Sequence, residues 1–145
     1  MVETPLLDQA AEQIYKEMEK LGEDPLKLPP VAQPIALLYT FQAMVDNGGF
    51  RYPLEGDFPF NPPYSVFVEA YRRIGANGAA DSFAKAISRF PFDDPHLRQE
   101  ERNEFLDSLP EDDELFQLGD AVCGDDSIWE LMEKYVEENR VELKV

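Results

Sequence analysis

The sequence predicts an all-α fold: a single-domain bundle of about six to seven helices. Three observations predict it. Apolar residues recur at intervals of three and four along most of the 145-residue chain, which is the period of one helix face. No stretch alternates apolar and polar residues as a half-buried strand would. Ten Phe, six Tyr and one Trp within an apolar content of 43% are ample for one core.

The elements follow in order. Leu7, Ala10, Ala11, Ile14, Met18 and Leu21 line one face of a first helix, with Thr4 placed to cap it, Pro5 at the first helical position and Gly22 just past its end. Beyond Pro25, Pro29 and Pro30, a strongly apolar helix starts near Pro34 and carries Ile35, Leu38 and Val45. It reads as the central helix. Asn61, Pro62 and Pro63 open a third, with Tyr64, Phe67, Val68, Tyr71 and Ile74 on one face and Gly75 at its close. Asn77 is placed to cap a fourth, striped by Ala80, Phe83, Ala84, Ile87 and Phe90, and Asp94-Pro95 to start a fifth that runs to about Leu109. The last helix starts at the capping box Ser127-x-x-Glu130, with Asp125 as a second capping candidate, and turns Ile128, Leu131, Met132, Tyr135 and Val136 inward. Residues 50–63 read as a long aromatic and proline-rich loop. One domain is expected, made of an N-terminal helix and connection (1–33), central helices (34–92) and a strongly acidic last third (93–145).

Charge and residue types exclude several functions. Thirty acids against thirteen bases give a formal charge of −17, yet the apolar content is too high for disorder. Such a chain is not expected to bind nucleic acid or a membrane directly. A charged-then-apolar leader and an apolar run near twenty residues are both missing, so a cytoplasmic protein is expected. The single Cys123 has no disulfide partner, and with His96 as sole imidazole there is no zinc-binding cluster. The acids between Asp120 and Asp126 lack the spacing of a calcium loop. No metal, no cofactor and no catalytic residue is assigned.

One stretch, VDNGGFRY from Val45 to Tyr52, could be a phosphate loop or a helix end. A phosphate loop needs glycines between a strand and a helix, usually with a lysine nearby. Here a helix precedes the glycines and a proline-bearing segment follows them. The stretch is therefore a bend that lets Phe50 and Tyr52 fold back on the helix just left. The same Asn47-Gly48-Gly49-Phe50, followed by FVEAYRRIGA, GAADSFAKAISRF, and DDELFQL leading to WELMEKYVEEN, resembles the small all-helical domain family that includes the acidic DNA-mimic proteins. The resemblance covers roughly residues 35–139, in order. It departs after Phe50, where the family continues with a Gln and further aromatics and this chain has Arg51 to Asp57. Most members of that family have no assigned activity. The characterised type is a homodimer that presents acidic side chains to a transcription regulator in place of DNA phosphates. A non-enzymatic binding role is what the resemblance implies.

The residues themselves place the charge. Residues 1–92 hold twelve acids and eight bases, whereas residues 93–145 hold eighteen and five. On the fifth helix Glu100, Glu104 and Asp107, with Glu101 alongside, form a ridge opposite Phe105, Leu106 and Leu109. Glu130, Glu133 and Glu137 form a second ridge, and Glu111, Asp112 and Asp113 lie between the two. Ridge neighbours stand about 5 to 6 Å apart, an array that a basic DNA-binding protein or transcription regulator could accept as phosphates. Other readings of the acids stay open. They are a solvated outer face, an acidic inhibitor or immunity-type surface for a basic enzyme, or carboxylates of a hydrolytic or small-ligand site. Arg51, Arg72 and Arg73 read as partners of acids and helix ends rather than an anion site, and Trp129 as core.

Overall fold

The most apolar stretch of the chain becomes its axis. Gln33–Gly48 forms helix α2, and its Ile35, Leu38, Phe41 and Val45 are fully buried. The computed structural model describes residues 2–145. Within them the helices are α1 (Pro5–Lys20), α2, α3 (Arg51–Glu55), α4 (Tyr64–Arg73), α5 (Asn77–Ser88), α6 (Gln99–Ser108), α7 (Glu114–Asp120), α8 (Asp126–Glu138) and α9 (Arg140–Leu143), with no strand. Short 3-10 turns at Pro25–Lys27 and Pro95–Leu97 lead into α2 and α6. Helix α2 touches α1, α3 and α4; α4 packs on α5, α5 on α7, α8 on α1, and α6 on α3. Among the described residues no helix is long and apolar enough to cross a membrane.

Aromatic rings knit this core. Phe41 of α2 meets Phe67 at 4.8 Å and Phe83 at 4.9 Å between centroids, and Phe83 in turn meets Phe50 at 5.1 Å. The tilted and edge-on geometries suit the ring quadrupoles. The bend works as its sequence suggests, because Gly49 takes φ 64° and ends α2. Phe50 folds into the core, but Tyr52 remains 49% exposed. The uninterrupted loop expected for residues 50–63 is corrected: Arg51–Glu55 coils into α3, buries Pro53 and Leu54, and carries an Arg51–Glu55 ion pair one turn apart.

A polar chain crosses the core. The Tyr71 hydroxyl donates to Gln42 Oε1 at 2.6 Å, and Gln42 Nε2 donates to Asp46 Oδ1 at 2.8 Å and to the Val122 carbonyl at 3.2 Å. Asp46 also accepts from the Gly124 amide and the Trp129 indole, each at 2.8 Å. Gln42 is fully buried, and both ends of its amide are satisfied, which removes the desolvation cost of an orphaned group. Burial first, and the Asp46 charge second, raise the Tyr71 phenol well above its ordinary pKa, so it stays a donor.

Three expected caps are corrected. Thr4 makes no capping bond to α1; its hydroxyl donates to Asp8 Oδ1 at 3.4 Å. Asn77 is the first residue of α5 instead of its cap. The fifth helix does not begin at Asp94-Pro95, because a 3-10 turn intervenes and α6 starts at Gln99. At α8 the cap is Asp125, which accepts the Ser127 amide at 3.0 Å, so Ser127 does not close the capping box.

A close approach lies at Gly119 of α7, where an added Cβ would stand 2.7 Å from the Phe50 amide nitrogen and 3.3 Å from its ring. Gly119→Ala should cost about 2 kcal/mol through overpacking. A lowered urea midpoint at unchanged slope would show it, and an unchanged midpoint would refute this junction.

Candidate acidic interface

Helix α6 fully buries only Arg102 and Leu106 of its ten residues and half-buries Asn103 and Phe105, so the rest of the helix faces water. Glu100, Glu101, Glu104 and Asp107 are exposed. Two of them have a cation. Arg51 Nη2 binds Asp107, and Arg98 Nη1 reaches Glu101 at 3.3 Å. Arg51 also donates to Glu55 Oε1 at 2.7 Å and lies over the Phe116 ring at 5.8 Å, so it joins α3 to both α6 and α7. Among the described residues Glu100 and Glu104 have no ion-pair partner. Glu111 and Asp112, in the turn after α6, are likewise exposed, and among the described residues neither has an ion-pair partner.

Asp113 is different in kind. It caps α7 by accepting the Leu115 amide at 3.0 Å, and Arg89 binds its other oxygen at 2.6 Å. The Leu115 amide first, and the Arg89 guanidinium second, hold its carboxyl below the usual carboxylate range.

The α8 acids also divide. Glu130 and Glu137 are exposed. Glu133 instead faces α1, accepting the Leu6 amide at 2.9 Å and the Leu7 amide at 2.7 Å. Those two amides are open donors at the start of a helix, and a carboxylate there meets the positive end of the dipole. This is the cap that Thr4 does not supply. Helices α6 and α8 pack on different partners, α3 and α1 respectively. The acids therefore form two surfaces. One is continuous along α6 and its following turn; the other is a smaller pair on α8.

Arg72 and Arg73 are engaged elsewhere. Arg72 binds Asp81 at 2.8 Å, and Arg73 donates to the Pro30 carbonyl at 2.8 Å and to the Tyr135 hydroxyl at 3.4 Å. With Arg51 they are dispersed partners of acids and carbonyls, as their sequence positions suggest. Among the described residues no group of three His, Cys, Asp or Glu is arranged to hold a metal ion. A cleft of about 820 Å³ lies between the start of α1, the end of α2 and the start of α8, and no ridge acid lines it.

Two residues central to this arrangement carry little sequence signal. Arg102 is fully buried, and only its place four residues before Leu106 hints that it faces inward. Asp46 lies beside the glycine bend, where the glycines draw attention away from a carboxylate that gathers three N–H donors.

The family model described as DMP19-like protein matches residues 26–139, from the turn before α2 to the end of α8. No curated protein and no solved structure matches the chain.

The two classes of acid make opposite predictions. Glu133→Gln should cost about 1 kcal/mol, because it weakens charge-assisted bonds to two helix-end amides. Glu130→Gln should stay within about 0.5 kcal/mol of wild type. Urea melts of both variants decide, and equal effects would contradict the division. Asp113 adds a pH dependence. Its folded value lies below its unfolded one, so its stabilisation is complete at neutral pH and is lost as pH falls through the carboxylate range. Asp113→Asn should flatten that acid limb of the stability profile, and an unchanged limb would show that another group sets it.

Proposed function

Because the chain belongs to the DMP19-like protein family, we propose that it is a non-enzymatic DNA mimic whose α6 surface occupies the nucleic-acid site of a basic DNA-binding protein or transcription regulator. The observation that carries the reading is the set of Glu100, Glu104, Glu111 and Asp112, exposed carboxylates on α6 and the turn after it that have no ion-pair partner among the described residues. Uncompensated charge gathered on one segment raises the local negative potential, and a basic partner relieves it. Lys and Arg groups arranged for phosphates meet carboxylates with the same charge-assisted geometry, bidentate in the case of Arg. The acids stand on a convex helix face in water, which suits docking better than hydrolysis, where paired carboxylates sit in a partly desolvated pocket. Glu101 and Asp107 flank the set with arginine partners, and Glu130 and Glu137 offer a secondary surface. Glu133 and Asp113 serve the fold on this reading.

The test is capture from a lysate of the host on immobilised protein, with elution by duplex DNA. Wild type should retain a basic DNA-binding protein that duplex DNA displaces, with affinity falling steeply as salt rises. The variant E100Q/E104Q/E111Q/D112N should lose at least about tenfold in affinity with its helicity intact. Undiminished capture by that variant would overturn the surface. A captured basic enzyme that DNA does not displace would favour an inhibitor role instead.

A further inference from the structure

The α6 surface is attached to the bundle in an unusual way. Its inward face offers one fully buried apolar side chain, Leu106, beside the fully buried guanidinium of Arg102. That guanidinium uses all three nitrogens. Nε donates to the Leu54 carbonyl at 2.9 Å, Nη1 to the Pro95 carbonyl at 2.7 Å, and Nη2 to the Gly56 carbonyl at 2.9 Å and Asp57 Oδ1 at 2.8 Å. The Tyr64 ring lies 5.9 Å from its central carbon. Beside it, Gln99 and Asn103 both donate to the Glu55 carbonyl, at 3.1 and 3.2 Å. The last carbonyls of α3 have no further turn to bond, and donors from α6 satisfy them.

This geometry fixes rotation as well as position. Residues two apart lie about 200° apart around a helix of 3.6 residues per turn, so Arg102 turned inward puts Glu100 and Glu104 on the opposite, outward side. A one-residue rotation would take the rigid guanidinium fork out of its ring of carbonyls. An apolar stripe could slide with little loss of contact; this socket cannot.

We infer that Arg102 is the positioning residue of the acidic surface, a polar latch that sets the register of α6 and thereby the outward presentation of Glu100 and Glu104. The inference rests on the function proposed above. It makes α6 a locally releasable element, since beyond Leu106 and the Phe105–Phe90 ring contact at 5.4 Å its attachment rests on hydrogen bonds to residues 54–57 and 95.

The experiment combines hydrogen exchange across the full chain with the capture assay, for wild type, Arg102→Gln, Arg102→Lys and the double variant Gln99→Ala/Asn103→Ala. The double variant alters exposed and half-exposed side chains and so keeps the test valid should Arg102→Gln fail to fold. Exchange within 93–109 should speed by about tenfold or more in Arg102→Gln while residues 33–48 and 77–88 keep their protection. Arg102→Lys retains charge without the fork and should fall between Arg102→Gln and wild type. The double variant should shift exchange in the same direction by a smaller factor. Across the series partner capture should fall in step with protection of 93–109, although no surface acid has changed. Loss of protection through the whole chain, or release of 93–109 with capture unchanged, would overturn the latch as a positioning device. If the four-acid variant also keeps its capture, the surface itself is misassigned and the positioning role falls with it, whatever the exchange shows about α6.

Discussion

Scarcity of cations governs this structure. Thirty carboxylates share thirteen basic side chains, and four of the arginines make ion pairs across joints between elements. Arg51 ties α3 to α6, Arg72 ties α4 to α5, Arg89 ties the end of α5 to the turn before α7, and Arg102 ties α6 to the segment after α3. Lys16, Lys20 and Lys134 pair only within their own helices, at 3.3 to 3.9 Å, on well-exposed side chains. Such pairs contribute little, typically below about 1 kcal/mol. A guanidinium holds two partners in fixed directions and an ammonium does not, which fits the division of labour between the two residue types.

Acids at structural positions that receive no full cation receive N–H donors instead. Asp46 gathers an amide from Gln42, a backbone amide and an indole; Glu133 takes two amides at the head of α1. In both cases the carboxylate binds together elements far apart in sequence. The acids left over, foremost Glu100, Glu104, Glu111 and Asp112, have no such duty and concentrate on α6 and its turn. The charge that remains is thus a residue of how the fold uses its bases, and it is displayed on the element least embedded in the core.

The helices of the core were legible because burial repeats along them. The stripes predicted for α1, α2, α4, α5 and α8 face inward except at Leu21, which lies just past the end of α1 and is exposed, and the Gly49 bend is where the glycines place it. What escaped the sequence depends on distant partners. Five residues of α3 cannot signal a helix by periodicity; their coil is completed by donors from Gln99, Arg102 and Asn103. Thr4 has the right chemistry for a cap, yet a carboxylate 127 residues away takes the Leu6 amide. The same fact divides the α8 ridge, since spacing puts Glu130, Glu133 and Glu137 on one side but cannot say that α1 packs against its middle. Little in the sequence marks Arg102, because a buried cation is recognisable only with its carbonyls in view.

The function proposed for α6 depends on which carboxylates are open in the free protein and closed in the complex. Carbodiimide labelling with an amine, mapped residue by residue, measures this directly. Glu100, Glu104, Glu111 and Asp112 should label readily in the free chain and lose that labelling once the captured partner is bound, whereas Glu133 and Asp113 should label poorly in both states. Protection that falls instead on acids remote from α6, such as Glu3, Glu69 or Glu142, with the α6 set still reactive in the complex, would contradict that function.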